Sequence, residues 1–183
     1  MAFVKMIILD LDGTLIRSDK SISERTLKTL RQCQDRGIIV VIATARFWIG
    51  AEKYIRMIHP DYEITTDGTM IHRGEDMVYS CGMDLQTPHQ LIQMIQAADV
   101  NAEITEAGKL RAIRALASSL HISMEQLAAF GDDENDLEML KACGRGIAVA
   151  NGLESVKAAA DEVCESNDSD GVAKWLETNV LGL

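Results

Sequence analysis

Residues 3–15 of the chain read FVKMIILDLDGTL, and this stretch decides the fold. Its first seven residues form a short apolar run, which is typical of a buried strand in a parallel sheet. The run ends in Asp10 and Asp12, which are separated by one residue and followed by Gly13 and Thr14. Because ligands of open α/β sheets bind beyond the carboxyl ends of the strands, the position of these aspartates predicts a functional site.

The same alternation of apolar runs and helical patterns continues along the chain. Ser23 is expected to cap an amphipathic helix that ends near Gly37, and a second apolar strand covers residues 38–43. Further strands are expected near residues 62–65, 127–130 and 146–149. A strand–helix–strand order of this kind requires parallel pairing. We therefore predict an α/β fold with a doubly wound, Rossmann-like parallel sheet.

The regular order breaks once, after the third predicted strand. Residues 70–81 alternate apolar and polar side chains, which predicts a β-hairpin. A helix is expected to open at Thr87, and a further strand at residues 101–105. We expect two segments, 1–68 and 106–183, to form the core, with residues 69–105 as a small α+β cap insert.

The composition excludes several classes of protein. Among 183 residues, 18 are Lys or Arg and 28 are Asp or Glu, for a net charge of −10. A chain this acidic is a poor match for nucleic-acid binding, which depends on neutralising phosphates, and no apolar run approaches the length needed to cross a bilayer. The four cysteines are dispersed, which suits reduced thiols. We expect a cytoplasmic protein with neither nucleic acid nor membrane as partner.

Polar side chains follow three of the predicted strands. The pair Asp10 and Asp12 follows the first, Thr44 follows the second, and Asp132 with Asp136 follows the apolar run at 127–130. Neighbouring carboxylates repel unless a cation lies between them, and hard oxygen ligands favour Mg²⁺. A carboxylate beside a metal and a phosphoryl group can also act as a nucleophile. These strand ends therefore predict a magnesium site suited to phosphoryl chemistry.

Four short motifs occur in a fixed order along the chain. They are DLDGTL at residues 10–15, Thr44, Lys109, and GDDEND at residues 131–136. In this order they resemble the four motifs of the haloacid dehalogenase-like hydrolase superfamily. The segments IAVAN and VKAAAD, at residues 147–151 and 156–161, are similar to its Cof-type sugar-phosphate phosphatase branch.

The resemblance implies catalytic roles for four residues. Asp10 would be the nucleophile that attacks phosphorus, and Asp12 would protonate the leaving alcohol and then activate water. Lys109 would stabilise the developing charge in the transition state. Thr44 would donate a hydrogen bond to a phosphoryl oxygen.

The resemblance also implies the residues that hold the metal. Asp10 and Asp132 would bind Mg²⁺ through their carboxylates, and Asp12 through its backbone carbonyl. Asp136 would support the site by orienting Lys109.

The phosphate-binding set implied by the resemblance includes main-chain groups. Backbone N–H groups near Leu11 and Ala45 would assist Thr44 and Lys109, and Asn135 would contact the phosphate region. The second motif reads Thr44-Ala45-Arg46 where the family usually has Thr-Gly-Arg, so Ala45 is a departure from the family pattern.

The function implied is a Mg²⁺-dependent phosphatase acting on a small phosphorylated metabolite through an aspartyl-phosphate. A phosphomutase of the same superfamily is one alternative, and a catalytically silent regulatory or binding protein is another. The insert at 69–105 is shorter than the cap of full-length Cof-type relatives. It is therefore expected either to pack on a second subunit, giving a homodimer, or to leave the site unusually open.

Overall fold

A computed structural model describes residues 3–74, 76–80 and 108–183, in which the strands form one sheet. The order across the sheet is β5-β4-β3-β2-β1-β6-β7-β8. The strands are β1 (Met6–Leu9), β2 (Ile39–Ala43), β3 (Tyr62–Thr65), β4 (Met70–Arg73), β5 (Asp76–Ser80), β6 (Leu127–Gly131), β7 (Arg145–Val149) and β8 (Glu162–Cys164). Neighbouring strands in the segment β3-β2-β1-β6-β7-β8 pair in parallel. The β3–β4 and β4–β5 pairs are antiparallel. The predicted doubly wound parallel sheet is confirmed.

Helices cover both faces of the sheet. They are α1 (Glu24–Asp35), α2 (Trp48–Ile58), α3 (Lys109–Ser119), α4 (Leu137–Ala142), α5 (Glu154–Ala159) and α6 (Gly171–Leu176), which continues into a wider turn over Glu177–Leu181. The start of α1 follows the predicted rule, because the Ser23 side chain accepts a hydrogen bond from the Thr26 backbone N–H.

Two apolar layers hold the sheet between the helices. On one face, side chains of alternate residues such as Ile7 and Ile42 pack against α1, α2 and α6. On the other face, Ile8 and Val41 pack against α3, α4 and α5. A strand buried on both faces reads as a continuous apolar run, which is why the central strands were detectable from the sequence.

The β-hairpin expected at residues 70–81 is present as β4 and β5, and it extends the core sheet at one edge. Gly68, which precedes the hairpin, packs against the start of α3, since a Cβ added to it would lie 2.2 Å from the carbonyl oxygen of Gly108. The helix expected from Thr87 and the strand expected at 101–105 lie outside the described residues. The assignment of 69–105 as a cap insert stays a prediction.

The described residues also bear on the expected reduced thiols and on the expectation that the chain does not cross a membrane. Cys33, Cys143 and Cys164 are buried free thiols, whereas Cys81 is outside the described residues. Among the residues that the structure describes, no helix combines the length and the apolar character that a membrane crossing requires.

Candidate active site

The central strands of the sheet bring the motif residues together at one edge. β1 lies between β2 and β6, and all three strands run in the same direction. Asp10, Thr44 and Asp132 each directly follow one of these strands. The Asp10 backbone N–H donates to the carbonyl oxygen of Phe130, which continues the pairing beyond the end of β1. The strand-end residues named by the sequence are therefore neighbours in space.

Lys109 is the most deeply buried cation of the site, with only 2% of its surface exposed. Its Nζ lies 2.6 Å from Oδ1 of Asp10 and 2.6 Å from Oδ1 of Asp136. The second oxygen of Asp136 accepts hydrogen bonds from the backbone N–H groups of Asp132 and Asp133, at 3.0 and 3.3 Å. Asp136 thus positions Lys109 and shapes the loop that carries Asp132.

Asp132 is held against the loop that follows β1. The Thr14 hydroxyl donates to its Oδ1 at 2.7 Å. Gly13 adopts a φ of +78°, and a Cβ placed there would lie 2.2 Å from Oδ2 of Asp132. Only glycine combines this left-handed conformation with so close an approach. The loops that carry the first and fourth motifs therefore pack tightly against each other at Gly13 and Asp132.

Asp12 pairs with Arg46 in a two-pronged salt bridge. Nε and Nη2 of Arg46 lie 2.5 and 2.6 Å from the two carboxylate oxygens of Asp12, and Nη1 donates to the carbonyl oxygen of Gly50. The hydrogen bonds from Arg46 lower the pKa of Asp12 below its ordinary value. In this structure the side chain predicted to move protons is an ionised carboxylate held by an arginine.

A small polar cleft of about 190 Å³ opens between these loops. It is lined by Asp10, Asp12, Thr44, Ala45, Arg46, Asp132, Asp133 and Asn135. The Thr44 side chain is buried beneath it and accepts a hydrogen bond from the Arg46 backbone N–H. Leu11 differs from these residues because its side chain is fully buried in the apolar core, so it can act in the site only through its main chain.

Burial raises the pKa of two carboxyls that face the cleft. The pKa of Asp10 rises to about 7, although the positive charge of Lys109 lowers it. The pKa of Asp132 rises to about 6, although the hydrogen bond from the Thr14 hydroxyl lowers it. The pKa of Lys109 is raised because its two carboxylate partners outweigh the effect of its burial.

The donor set fits a divalent cation. One carboxylate oxygen from each of Asp10, Asp132 and Asp136 lies within 4.8 Å of the others. If all three carboxyls ionised, the single ammonium of Lys109 would leave an excess of negative charge that a divalent ion would balance. Hard oxygen donors are those that Mg²⁺ prefers. Since Asp136 is already engaged by Lys109 and two backbone N–H groups, Asp10 and Asp132 are the better placed carboxylates for a metal.

The structure brings together the side chains that the sequence assigned to the site, and it adds two. No role was predicted for Arg46, although it stands in the second motif, nor for Thr14, although it stands in the first. Both contact a predicted site carboxylate directly. Their position beside Thr44 and Asp12 in the sequence was the only signal of their importance.

Comparison with known proteins supports the family resemblance that the sequence motifs indicated. The family model for haloacid dehalogenase-like hydrolases matches residues 7–108 and 102–176. The chain is 26% identical over 263 residues to a 5-amino-6-(5-phospho-D-ribitylamino)uracil phosphatase of Bacillus subtilis, covering 94% of this chain and 96% of the relative. It is 28% identical over 222 residues to a phosphoglycolate phosphatase of Archaeoglobus fulgidus, covering 98% and 97%.

Solved structures show the same architecture. A haloacid dehalogenase-like hydrolase from Bacteroides thetaiotaomicron superposes with a TM-score of 0.81 at 22% identity, covering 96% of this chain and 99% of that one. At this identity the likeness concerns the fold, and the match of the family model to most of the sequence carries the assignment. The four ordered motifs, the geometry of their side chains and the family model thus lead to one conclusion: the chain belongs to the haloacid dehalogenase-like hydrolase family.

Proposed function

We propose that the protein is a Mg²⁺-dependent phosphatase that hydrolyses small phosphomonoesters through an aspartyl-phosphate on Asp10. The observation that carries the proposal is the buried Asp10–Lys109–Asp136 arrangement beside Asp132. Burying these charges costs free energy, because each desolvated charge must be compensated, so the arrangement favours a functional role over a stabilising one. The phosphatase names of the two relatives support the reaction class.

The first step is attack by the carboxylate of Asp10 on phosphorus. Lys109 contacts Oδ1 of Asp10, so Oδ2 is the oxygen directed to the reaction. The new bond joins Oδ2 to phosphorus as the bond from phosphorus to the alcohol oxygen breaks, and Asp12 gives a proton to the departing oxygen. When bound, Mg²⁺ supplies positive charge to the phosphoryl oxygens. Lys109 adds a fixed positive charge, with its Nζ 2.6 Å from Oδ1 of Asp10.

The second step returns Asp10 to its starting form. Asp12, now a carboxylate, takes a proton from water as the water oxygen attacks the phosphorus of the aspartyl-phosphate. The bond from phosphorus to the Asp10 oxygen breaks, inorganic phosphate leaves, and Asp12 is protonated for the next cycle. Arg46 favours the ionised form of Asp12, so we infer that the salt bridge opens when the substrate binds and Asp12 acts as an acid.

Thr44, Lys109 and Asn135 are the side chains proposed to bind the phosphoryl group, with backbone N–H groups near Leu11 and Ala45. The cleft of about 190 Å³ has room for a phosphoryl group and a small alcohol. We further propose that residues 69–105 form a shortened cap. In support, the alignment with the Bacillus subtilis relative extends over 263 residues, so it must contain gaps in this chain of 183.

The test is phosphate release from a panel of small phosphomonoesters, including phosphoglycolate and sugar phosphates. We expect release with Mg²⁺, little release with a chelator, and none from Asp10→Asn, which keeps the size of the nucleophile but removes its charge. Asp133→Asn is the matched control, since Asp133 lines the same cleft without being assigned to the chemistry. Equal release by the Asp10→Asn variant would refute the proposed nucleophile.

The same panel, measured for sugar-phosphate isomerisation as well as phosphate release, separates the alternatives. A phosphomutase would convert one sugar phosphate to its isomer, dependent on a bisphosphate, with little net release of phosphate. A catalytically silent binding protein would release none from any substrate while still binding Mg²⁺. Light scattering tests the proposed homodimer, which a strictly monomeric protein would exclude.

A further inference from the structure

Two asparagines outside the catalytic motifs tie the loop after β1 to the other side of the site. They are Asn151 and Asn167. Nδ2 of Asn151 donates to the carbonyl oxygen of Gly13 at 2.7 Å, and its Oδ1 accepts from the Asn167 backbone N–H at 2.9 Å. Nδ2 of Asn167, in turn, donates to the carbonyl oxygen of Ile16 at 2.8 Å. Both ends of the Asn151 amide are therefore engaged.

The turn that carries Asn151 also contacts the main chain of Asp132. The backbone N–H of Leu153 donates to the Asp132 carbonyl oxygen at 2.9 Å. A Cβ added to Gly152 would lie 3.0 Å from the Asp132 Cα. One short turn after β7 thus contacts the loops of both the first and the fourth motif, which are more than a hundred residues apart in sequence.

The hydrogen bond from Asn151 to the Gly13 carbonyl lies next to two residues of the proposed metal site, Asp12 and Asp132. A Cβ on Gly13 would lie 2.2 Å from Oδ2 of Asp132, and the next residue, Thr14, donates to Oδ1. The preceding residue is Asp12, whose carbonyl is proposed to bind the metal. Holding the Gly13 carbonyl in place therefore sets the distance between two of the groups that the metal site requires.

We propose that Asn151 is a positioning residue for the metal site. Through the Gly13 carbonyl it holds the main chain of Asp12 against Asp132. This inference rests on the proposed function, because it concerns the Mg²⁺ site of that reaction. Removing a group that hydrogen-bonds a metal ligand directly typically changes metal affinity or activity by about 10- to 100-fold, and Asn151 bonds the residue next to a proposed ligand, so we expect the lower end of that range.

The test measures Mg²⁺ binding directly, by isothermal titration calorimetry with MgCl₂. Asn151→Ala removes both hydrogen bonds of the amide. Asn151→Asp keeps the acceptor for Asn167 but puts a carboxylate oxygen against the carbonyl oxygen of Gly13. Asn179→Ala is the matched control, since its Nδ2 donates to the Trp175 carbonyl oxygen at 2.9 Å and its Oδ1 accepts from Arg145 at 3.2 Å.

We expect both Asn151 variants to bind Mg²⁺ about 10-fold more weakly, with Asn179→Ala unchanged. Weaker binding by Asn151→Asp is decisive, because an added negative charge alone would strengthen the binding of a cation. In phosphate release, the Mg²⁺ concentration for half-activation should rise by the same factor, while KM at saturating Mg²⁺ changes by less than about 2-fold. The Asn151 side chain is exposed, so we expect the variants to fold, which circular dichroism checks.

Three results would overturn the inference. They are unchanged Mg²⁺ affinity in Asn151→Ala, unchanged or tighter binding in Asn151→Asp, and an equal loss of affinity in Asn179→Ala. In each case the unaltered protein still binds Mg²⁺ and releases phosphate, so the proposed function stands. If the unaltered protein binds no Mg²⁺, the proposed function fails first and this inference fails with it.

Discussion

Glu63 lies in the middle of β3, where its side chain has no evident use in the proposed reaction. The residue is 1% exposed, and its Oε2 has no hydrogen-bond partner in the part of the chain that the structure describes. Its cross-strand neighbour is His72, whose Nδ1 is likewise buried and unpartnered among the described residues. Burial raises the pKa of Glu63 from 4.5 to about 7. The neutral carboxyl is thus the form that the fold accommodates.

The pKa shift determines how replacing Glu63 should change stability with pH. Because the pKa is higher in the folded state than in the unfolded state, the contribution of Glu63 is most favourable below pH 4.5 and is lost as the pH rises to about 7. The full penalty, reached above pH 8, is at most ~3.4 kcal/mol at 1.36 kcal/mol per unit of pKa. Between pH 5.5 and pH 8.5 the penalty grows by about 2 kcal/mol. The free energy of unfolding of Glu63→Gln, relative to that of the unaltered protein, should therefore increase by about 2 kcal/mol over that range.

The assay is urea unfolding followed by tryptophan fluorescence at several pH values, without divalent cations. Glu138→Gln is the control, because its side chain is 73% exposed and the substitution should act similarly at every pH. The quantity compared is the free energy of unfolding of each variant minus that of the unaltered protein. A Glu63→Gln difference that is the same at pH 5.5 and pH 8.5 would refute the argument, since a glutamate without a raised pKa gives that result.

Three other substitutions test the site. Lys109→Met should lower the free energy of unfolding at pH 8 by roughly 3–5 kcal/mol, because it leaves buried carboxylates uncompensated; a loss below about 1 kcal/mol in urea unfolding would contradict the burial of this pair. Gly13→Ala should cost about 1–3 kcal/mol in backbone strain and weaken Mg²⁺ binding in calorimetry, because its Cβ would collide with Asp132; unchanged affinity would show that the contact is not needed. Asp12→Asn should reduce kcat/KM on alkyl phosphates at least ~10-fold more than on p-nitrophenyl phosphate, whose leaving group needs no proton from Asp12. Equal losses on the two substrates would show that Asp12 does not protonate the leaving group.

The residues that follow the strands were predictable because one rule of architecture governs them. Parallel strands end at the same edge of the sheet, so an apolar run followed by Asp10, Thr44 or Asp132 places those side chains together without knowledge of the packing. The pairing of β1 with both β2 and β6 fulfils that rule. The buried Lys109 was assigned through motif order and not through any local pattern, since a lysine at the start of a helix is ordinarily solvated.

Contacts between side chains far apart in sequence were not predictable in this way. Arg46 and Asp12 are 34 residues apart, and Asn151 and Gly13 are 138 apart. No periodicity connects such residues, and their pairing depends on the rotamers that the packed structure selects. Glu63 was not predictable either, because a charged residue within a short strand gives no sign in the sequence that it will be buried, here with no ionic partner among the residues that the structure describes.

The acidic surplus of the chain has two physically different parts. In the composition all 28 acidic residues count alike, yet Glu154 is an exposed partner of Lys157 and such pairs contribute little to stability. Asp10 and Asp132 are held close together in a buried site, and burial raises the pKa of both. A raised pKa means that the folded protein without metal resists the ionised form of each carboxyl, so a bound cation that favours ionisation relieves that opposition. Mg²⁺ and protons therefore compete for these two carboxylates, so the Mg²⁺ affinity that the proposed function requires should be fully expressed only above the pKa values of about 7 and about 6.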